Sequence, residues 1–427
     1  MKYAIKNGLV LKWDGQNFIL KNDDIFVDGS TITSIGTLPE KAYEYTPIDA
    51  SEHLVMPGLI NTHTHVYMNF MKNSADELEF NDWLFNKILP VEAQMTDSDF
   101  YWTTLLGCIE MIKTGTTCYL DMHIRENQCA KAAIDSGMRA FIGKCLTGED
   151  LSSDGHEAFE KALNEKAEYE SDRVKFALSP HSIYLCSPKM LSQINEEAKK
   201  RGMLKHIHLS ESQKEFDDCL ALHGKTPTQF LESLDFLDNK TLAAHCVKLT
   251  EQDISILQEK AVNPITNPSS NAKLGNGLAP IPKMFNKNIN VCLGTDSAAS
   301  NNTLNMFREM NVLSLIHKAH NGTALDFSTT DVLKSATLNP ALALNMQNEI
   351  GIIKEGAYAD LIFINLKSPS LFPNNNIISS LCYSANGSEV DSVMINGEFV
   401  MKDNVFKTLD SERIYYETNR IIEKYVL

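Results

Sequence analysis

Eight short runs of apolar and β-branched residues recur through the middle of the chain, each followed by a longer segment of helical period. They are GLINTHTH (58–65), TTCYLDMH (116–123), RAFIGKC (139–145), VKFALSPH (174–181), LKHIHLS (204–210), TLAAHCV (241–247), VNPITNP (262–268) and VCLGTD (291–296). Alternation of this kind builds parallel sheets from βα units, and eight units are the number that closes a barrel. The expected fold class is therefore α/β, a (β/α)8 TIM-type barrel. In such barrels, sites lie at the C-terminal ends of the strands. Polar residues gather there: His63 and His65 end the first run, His181 the fourth and Asp296 the eighth, while His208 and His245 lie near the ends of the fifth and sixth. Buried barrel strands ordinarily carry Val, Ile or Leu, so packing does not account for this recurrence.

The flanks read differently. KYAIKNGLVLK, DDIFVDGSTITSIG and HLVMPG at the start, and GIIKEGAYADLIFINL and DSVMINGEFVMKDN near the end, are short strands punctuated by Asn-Gly and Asp-Gly turn signals. A helix is expected over DSERIYYETNRIIEKYV. The two ends are expected to pair into one composite β-sandwich, dividing the chain into 1–56 (first part of the sandwich), 57–346 (barrel) and 347–427 (second part with the terminal helix). A length of 427 residues suits a barrel plus an accessory domain.

Charge narrows the partners. A net charge of −16 repels phosphate backbones and anionic lipid, so a small-molecule substrate is expected, with no nucleic acid and no membrane; nothing here excludes a homo-oligomer. Nine cysteines without CxxC spacing read as reduced, buried thiols. Lys6, Lys12 and Asp14 interrupt the N-terminal stretch before a signal-peptide core develops, and no run of about 18 apolar residues occurs. A cytoplasmic location is expected.

His63 and His65 are one residue apart on a strand, so both imidazoles face the same way. Three neutral imidazoles and one carboxylate suit zinc or iron(II), which makes His63, His65, His208 and Asp296 the candidate ligands of one divalent metal. His206 shares the face of His208 but sits about two residues, roughly 6–7 Å, deeper; it is taken as a core histidine. Glu211, three residues past His208, suits a general acid/base, and His245 could stabilise developing oxyanion charge. The alternatives are a solvated glutamate at a helix start and a buried structural histidine. His123 either lines the cavity or is structural; His53, His156, His223, His317 and His320 read as loop or helix-surface residues. The segments 339–341 and 351–360 read as structural.

PGLINTHTH, HLSES, AAHCV, NPSSNAKLGNGLAP and LGTDSAASNN, in this order, resemble the amidohydrolase superfamily, and within it the S-adenosylhomocysteine and 5′-methylthioadenosine deaminase branch. The resemblance covers nearly the whole chain. It implies a metal-bearing barrel with a composite sandwich, with His63, His65, His208 and Asp296 as ligands, Glu211 as proton shuttle and His245 beside the reactive water. It further implies that Glu92, which alone would read as exposed, grips ribose hydroxyls and that His181 contacts substrate. The implied activity is hydrolytic deamination of a 6-aminopurine nucleoside: adenosine, 5′-methylthioadenosine or S-adenosylhomocysteine. The alternatives are an amidohydrolase for another ring (guanine, a pterin or a chlorotriazine) and a non-enzymatic barrel scaffold. Two departures stand out. No arginine lies between Arg139 and Arg173, leaving Lys144 as the nearest cation for a distal carboxylate. His181 also stands where a lysine or glutamate would bridge two metals, so one metal is expected.

Overall fold

A computed structural model describes residues 1–151 and 154–426; the side chains at 154–158, His156 among them, and at 162 fall outside that description. The eight runs form one parallel sheet in sequence order: Leu59–Thr64, Thr116–His123, Arg139–Leu146, Val174–Pro180, Leu204–Leu209, Thr241–His245, Asn263–Thr266 and Cys292–Leu293. The last strand meets the first through Asp296 N–H donating to His63 O at 2.9 Å and Thr62 Oγ1 donating to Leu293 O at 2.7 Å. Closure demands a close approach there. A Cβ on Gly294 would stand 2.8 Å from the His63 backbone nitrogen and 2.6 Å from Asn267 Oδ1, so only glycine fits.

Alternation along the strands sorts the side chains. Ile60, Cys118, Leu120, Phe141, Ala177, Leu204, Leu242, Ile265 and Cys292 fill the lower barrel and pack against Ala341, Leu344, Met346 and Ile350, which plug its N-terminal end. The other face, including Ile142 and Leu146 on the third strand, packs against the surrounding helices. This arrangement places the C-terminal end of the barrel, not its floor, at the polar strand ends.

Both chain ends build the accessory layer. His53–Pro57 pairs antiparallel with Leu361–Asn365 in a seven-stranded sheet that also holds strands 9–13, 18–22, 390–395, 398–402 and 405–406. A four-stranded sheet of 2–6, 25–28, 31–35 and 46–49 stacks on it through Ile5, Val10, Ile25, Val27, Ile32, Val55, Leu361 and Phe363. The terminal helix runs over Ser411–Tyr425, as its periodicity predicts. Strands 18–22 and 46–49 are additions that the sequence patterns did not reveal. His317, expected on a helix surface, is buried against Phe327, and His53 is half-buried on a strand, bonded to Asp391.

Eight of the nine cysteines are buried, Cys145 is partly exposed, and none is in a disulfide. Among the described residues, no helix is long and apolar enough to cross a membrane.

Barrel and sandwich are joined by a buried ion pair. Arg139, at the base of the third strand, donates to Asp360 through Nε (2.7 Å) and Nη2 (3.1 Å), and both side chains are almost fully buried. Removing one partner strands the other charge in a dry interface. Asp360→Ala should therefore lower the unfolding free energy by about 3–5 kcal/mol, read from urea denaturation. A loss below about 1 kcal/mol would show that water reaches the guanidinium and that the pair is not an internal strut.

Candidate metal and catalytic site

The strand ends do converge. The ligand atoms of His63, His65 and His208 lie within 4.8 Å of one another, as do those of His63, His245 and Asp296. His63 Nε2 is 3.3 Å and His65 Nε2 3.6 Å from Asp296 Oδ1. The four residues expected as ligands are thus brought together at the C-terminal end of the barrel.

The protonation pattern follows from what holds each ring. A backbone carbonyl can only accept, so His65 Nδ1, 2.9 Å from Met122 O, and His208 Nδ1, 2.8 Å from His181 O, must both carry protons. Their Nε2 atoms then hold lone pairs and face each other at 3.4 Å. No hydrogen bond can form between two bare nitrogens, and His63 Nε2, fully buried, also lacks a hydrogen-bond partner. Neutral imidazoles are favoured throughout: burial pushes His63 down to about 4 and His208 well below its ordinary value, and it lowers His65 as well. Converging lone pairs beside a carboxylate are a donor set for a borderline divalent cation. The residues fit the group.

Asp296 is the anionic member. Burial alone would raise its carboxyl, but contact with the His63 ring and the neighbouring His245, His63 and His65 hold it well below the usual carboxylate range. Its Oδ2 accepts from Ser270 (2.6 Å) and Ser300 (2.9 Å), which leaves Oδ1 turned toward the imidazoles. Such outer partners fix the direction of a ligand.

Glu211 has the opposite character. It is buried, Asp296 lies close enough to repel its charge, and its carboxyl is pushed well above the ordinary range, with burial the larger cause. Oε1 accepts from Asn276 at 3.2 Å and Oε2 lies 3.6 Å from His245 Nε2. His245 Nδ1 is held by Asn271 Oδ1 at 2.9 Å. Two carboxyl groups with environments that split their acidities in this way suit one acid and one base. The backbone is strained where these groups emerge: Ser210 (φ 52°), His245 (φ 73°), Cys246 (φ 49°) and Asp296 (φ 60°) all adopt left-handed conformations without being glycine.

The remaining expectations divide. Glu92 is not an exposed residue after a proline: it is buried, accepts a hydrogen bond from Tyr67 and is pushed up to about 7, mainly by burial. His181 packs its ring 4.5 Å from that of His208, and its Nδ1 has no partner. His123 has both nitrogens engaged, with Thr104 (3.3 Å) and the Arg125 N–H (2.8 Å), and its ring supports Tyr67 at 4.5 Å; it is structural. Lys144 is on the outward face of its strand, bonded to Glu126 at 2.6 Å and Ile124 O at 3.0 Å, so it does not replace the absent arginines. The inward position at that strand end belongs to Cys145, in register with Phe141 and Gly143.

Sequence reasoning missed several supports. His206 is more than a core histidine: its Nε2 is 2.8 Å from His63 Nδ1, so it orients that imidazole from below. The shared face of His206 and His208 was the available signal. Tyr67, Asn271, Ser270, Ser300 and Asn276 act across loops distant in sequence, where no local pattern reveals them.

Known proteins resemble this chain along nearly its whole length. A "5-methylthioadenosine/S-adenosylhomocysteine deaminase" of Caldanaerobacter subterraneus subsp. tengcongensis is 42% identical over 426 residues, 98% of each chain. A "5'-deoxyadenosine deaminase" of Methanocaldococcus jannaschii is 40% identical over 408 residues, 94% of this chain and 96% of that one. Among solved structures, an adenosine deaminase from Xanthomonas campestris with bound zinc superposes with a TM-score of 0.93 at 27% identity, covering 99% of this chain and 98% of its own. The amidohydrolase family model matches residues 54–400, which span the whole barrel and part of the sandwich, and the chain belongs to that family.

Proposed function

We propose that the protein is a metal-dependent aminohydrolase that deaminates 6-aminopurine nucleosides, with residues 57–346 as its catalytic barrel and 1–56 and 347–427 as its sandwich. One observation carries the reading: three imidazole nitrogens and the Asp296 carboxylate converge beside a second carboxyl, Glu211, that burial pushes toward its protonated form. The names of the two relatives, both deaminases of adenosine derivatives, support the same substrate class.

His63, His65, His208 and Asp296 would hold one divalent ion, zinc before iron(II), whose Lewis acidity brings the pKa of a water toward about 7. The chain's own groups move the protons. Glu211 donates to N1 of the purine, making C6 electrophilic, and Asp296 accepts the first proton of the attacking water. Oxygen adds to C6, where His245, oriented by Asn271, stabilises the developing charge. Asp296 passes its proton to the amine, the C6–N bond breaks and ammonia leaves. The proton remaining on the added oxygen restores Glu211, giving the inosine-type product.

Glu92, His181 and Glu211 are the proposed substrate contacts, Glu92 toward ribose hydroxyls and Glu211 at purine N1. With Lys144 committed to Glu126 and Cys145 on the inward face, the third strand end offers no cation to a carboxylate carried at the 5′ end. Substrates without that carboxylate are therefore favoured.

Metal analysis should find one divalent ion per chain, and chelation should abolish turnover, because the donor set is complete for one ion. Active protein without stoichiometric metal would refute this, and two tightly held ions would refute the mononuclear form. Glu211→Gln should keep its metal while losing about 10²–10⁴-fold in kcat; metal lost in step with activity would mean that Glu211 is a ligand. Finally, kcat/KM for adenosine or 5′-methylthioadenosine should equal or exceed that for S-adenosylhomocysteine, and Glu92→Ala should depress all three. A preference for S-adenosylhomocysteine above about tenfold, or about 1.4 kcal/mol, would show that the chain supplies a carboxylate partner from elsewhere.

A further inference from the structure

Ser212 and Glu215 read in sequence as a capping box, the Ser-x-x-Glu pair whose side chains close the first turn of a helix. The chain contains closed examples of such boxes: Thr96 with Asp99, Thr226 with Gln229, Thr250 with Asp253 and Ser328 with Asp331 each bond reciprocally. At the helix Gln213–His223 only half the box forms. Ser212 Oγ accepts from Glu215 N–H at 3.1 Å, but the Glu215 carboxylate reaches past the Ser212 amide.

Its oxygens go to the two preceding residues instead. Oε1 accepts from Ser210 N–H at 3.0 Å and Oε2 from Glu211 N–H at 2.7 Å. Ser210 is in the left-handed region (φ 52°), a conformation that turns the chain out of the fifth barrel strand and sets the direction in which Glu211 projects. The carbonyl of Ser210 is gripped as well, accepting from Val247 N–H (3.0 Å) and Lys248 N–H (2.8 Å) on the loop that follows His245. Glu215 itself is 5% exposed, so a carboxyl with two fixed donors has been buried where an ordinary helix cap would face water.

We infer that Glu215 is a positioning residue for Glu211: it clamps two consecutive amides and thereby aims the proton-transferring carboxyl. The inference rests on the reading of Glu211 as the proton shuttle. It does not make Glu215 catalytic, because its oxygens are spent on backbone N–H groups. A strained peptide beside a general acid relaxes when its clamp is removed, and a displacement of about 1 Å is enough to impair transfer. Metal retention, and the binding that rests on Glu92 and His181, should survive.

The test uses the metal-loaded full chain, assayed with adenosine and 5′-methylthioadenosine. Glu215→Gln, which keeps one acceptor and turns a donor toward an N–H, should lower kcat by about tenfold or more while KM stays within about threefold and metal stoichiometry is unchanged. Ser212→Ala removes the helix cap but not the clamp; it should lower Tm yet leave kcat within about twofold. Because Glu215 acts through Glu211, the double variant Glu211→Gln/Glu215→Gln should be no slower than Glu211→Gln alone. Should Glu215→Gln fail to fold, Glu215→Asp, too short to span both amides, takes its place with the same expectations. An unchanged kcat, a loss of metal, or a multiplicative loss in the double variant would overturn the inference. If Glu211→Gln is itself fully active, the proton-shuttle reading fails instead, and the two failures are separable.

Discussion

Two imidazole nitrogens that both lack protons lie 3.4 Å apart at the mouth of the barrel, and nothing in the protein lies between them to hold them together. Their tautomers are dictated from behind, by the carbonyls of Met122 and His181. Lone pairs in such proximity, with the unpartnered His63 Nε2 beside them and a carboxylate 3.3 Å from it, form an arrangement that a positive charge reconciles. The rest of the site is organised around that demand. His206 braces His63, two serines hold Asp296, and the barrel closes through a hydrogen bond between the backbones of His63 and Asp296. Fold closure and ligand geometry are therefore one constraint.

Charge placement then separates the two carboxyl groups. Asp296 stands among imidazoles and is held toward its ionised form, whereas burial and the nearby Asp296 push Glu211 toward its protonated form. Two carboxyl groups biased in opposite directions suit a site that accepts a proton from water and donates one to a ring nitrogen. The strained residues at the ends of the fifth, sixth and eighth strands are where this pair and His245 leave regular structure. Regular strand geometry would carry these side chains along the barrel wall; the left-handed turns direct them to a common point.

Much of this was legible in the sequence because strand periodicity and barrel closure are local and arithmetic. The runs at 116–123 and 139–145 match Thr116–His123 and Arg139–Leu146 almost residue for residue. The last two are shorter than their apolar patterns, since the chain leaves the sheet at Gly294 and at the Pro268 helix start in order to deliver Asp296 and Asn271. Alternation also held information about Lys144, which shares parity with the outward Ile142 and Leu146, not with Phe141. Its charge was visible, but its direction was outweighed by its position near the site. The partners of Glu92, Asp296 and His245 were not legible at all, since each is contributed by a separate loop and depends on tertiary geometry. The clamp made by Glu215 has no sequence signature of its own, because a half-formed capping box and a complete one have the same sequence.

The central claim is that water, activated in this site, replaces the amine of a purine nucleoside. The most direct measurement is turnover of adenosine or 5′-methylthioadenosine by the metal-loaded protein in ¹⁸O-labelled water, with ammonia and product mass followed together. The account predicts ammonia and an inosine-type product in equal amounts, each product molecule carrying one solvent oxygen at C6. Unlabelled product, or ammonia-free consumption of the nucleoside, would contradict it.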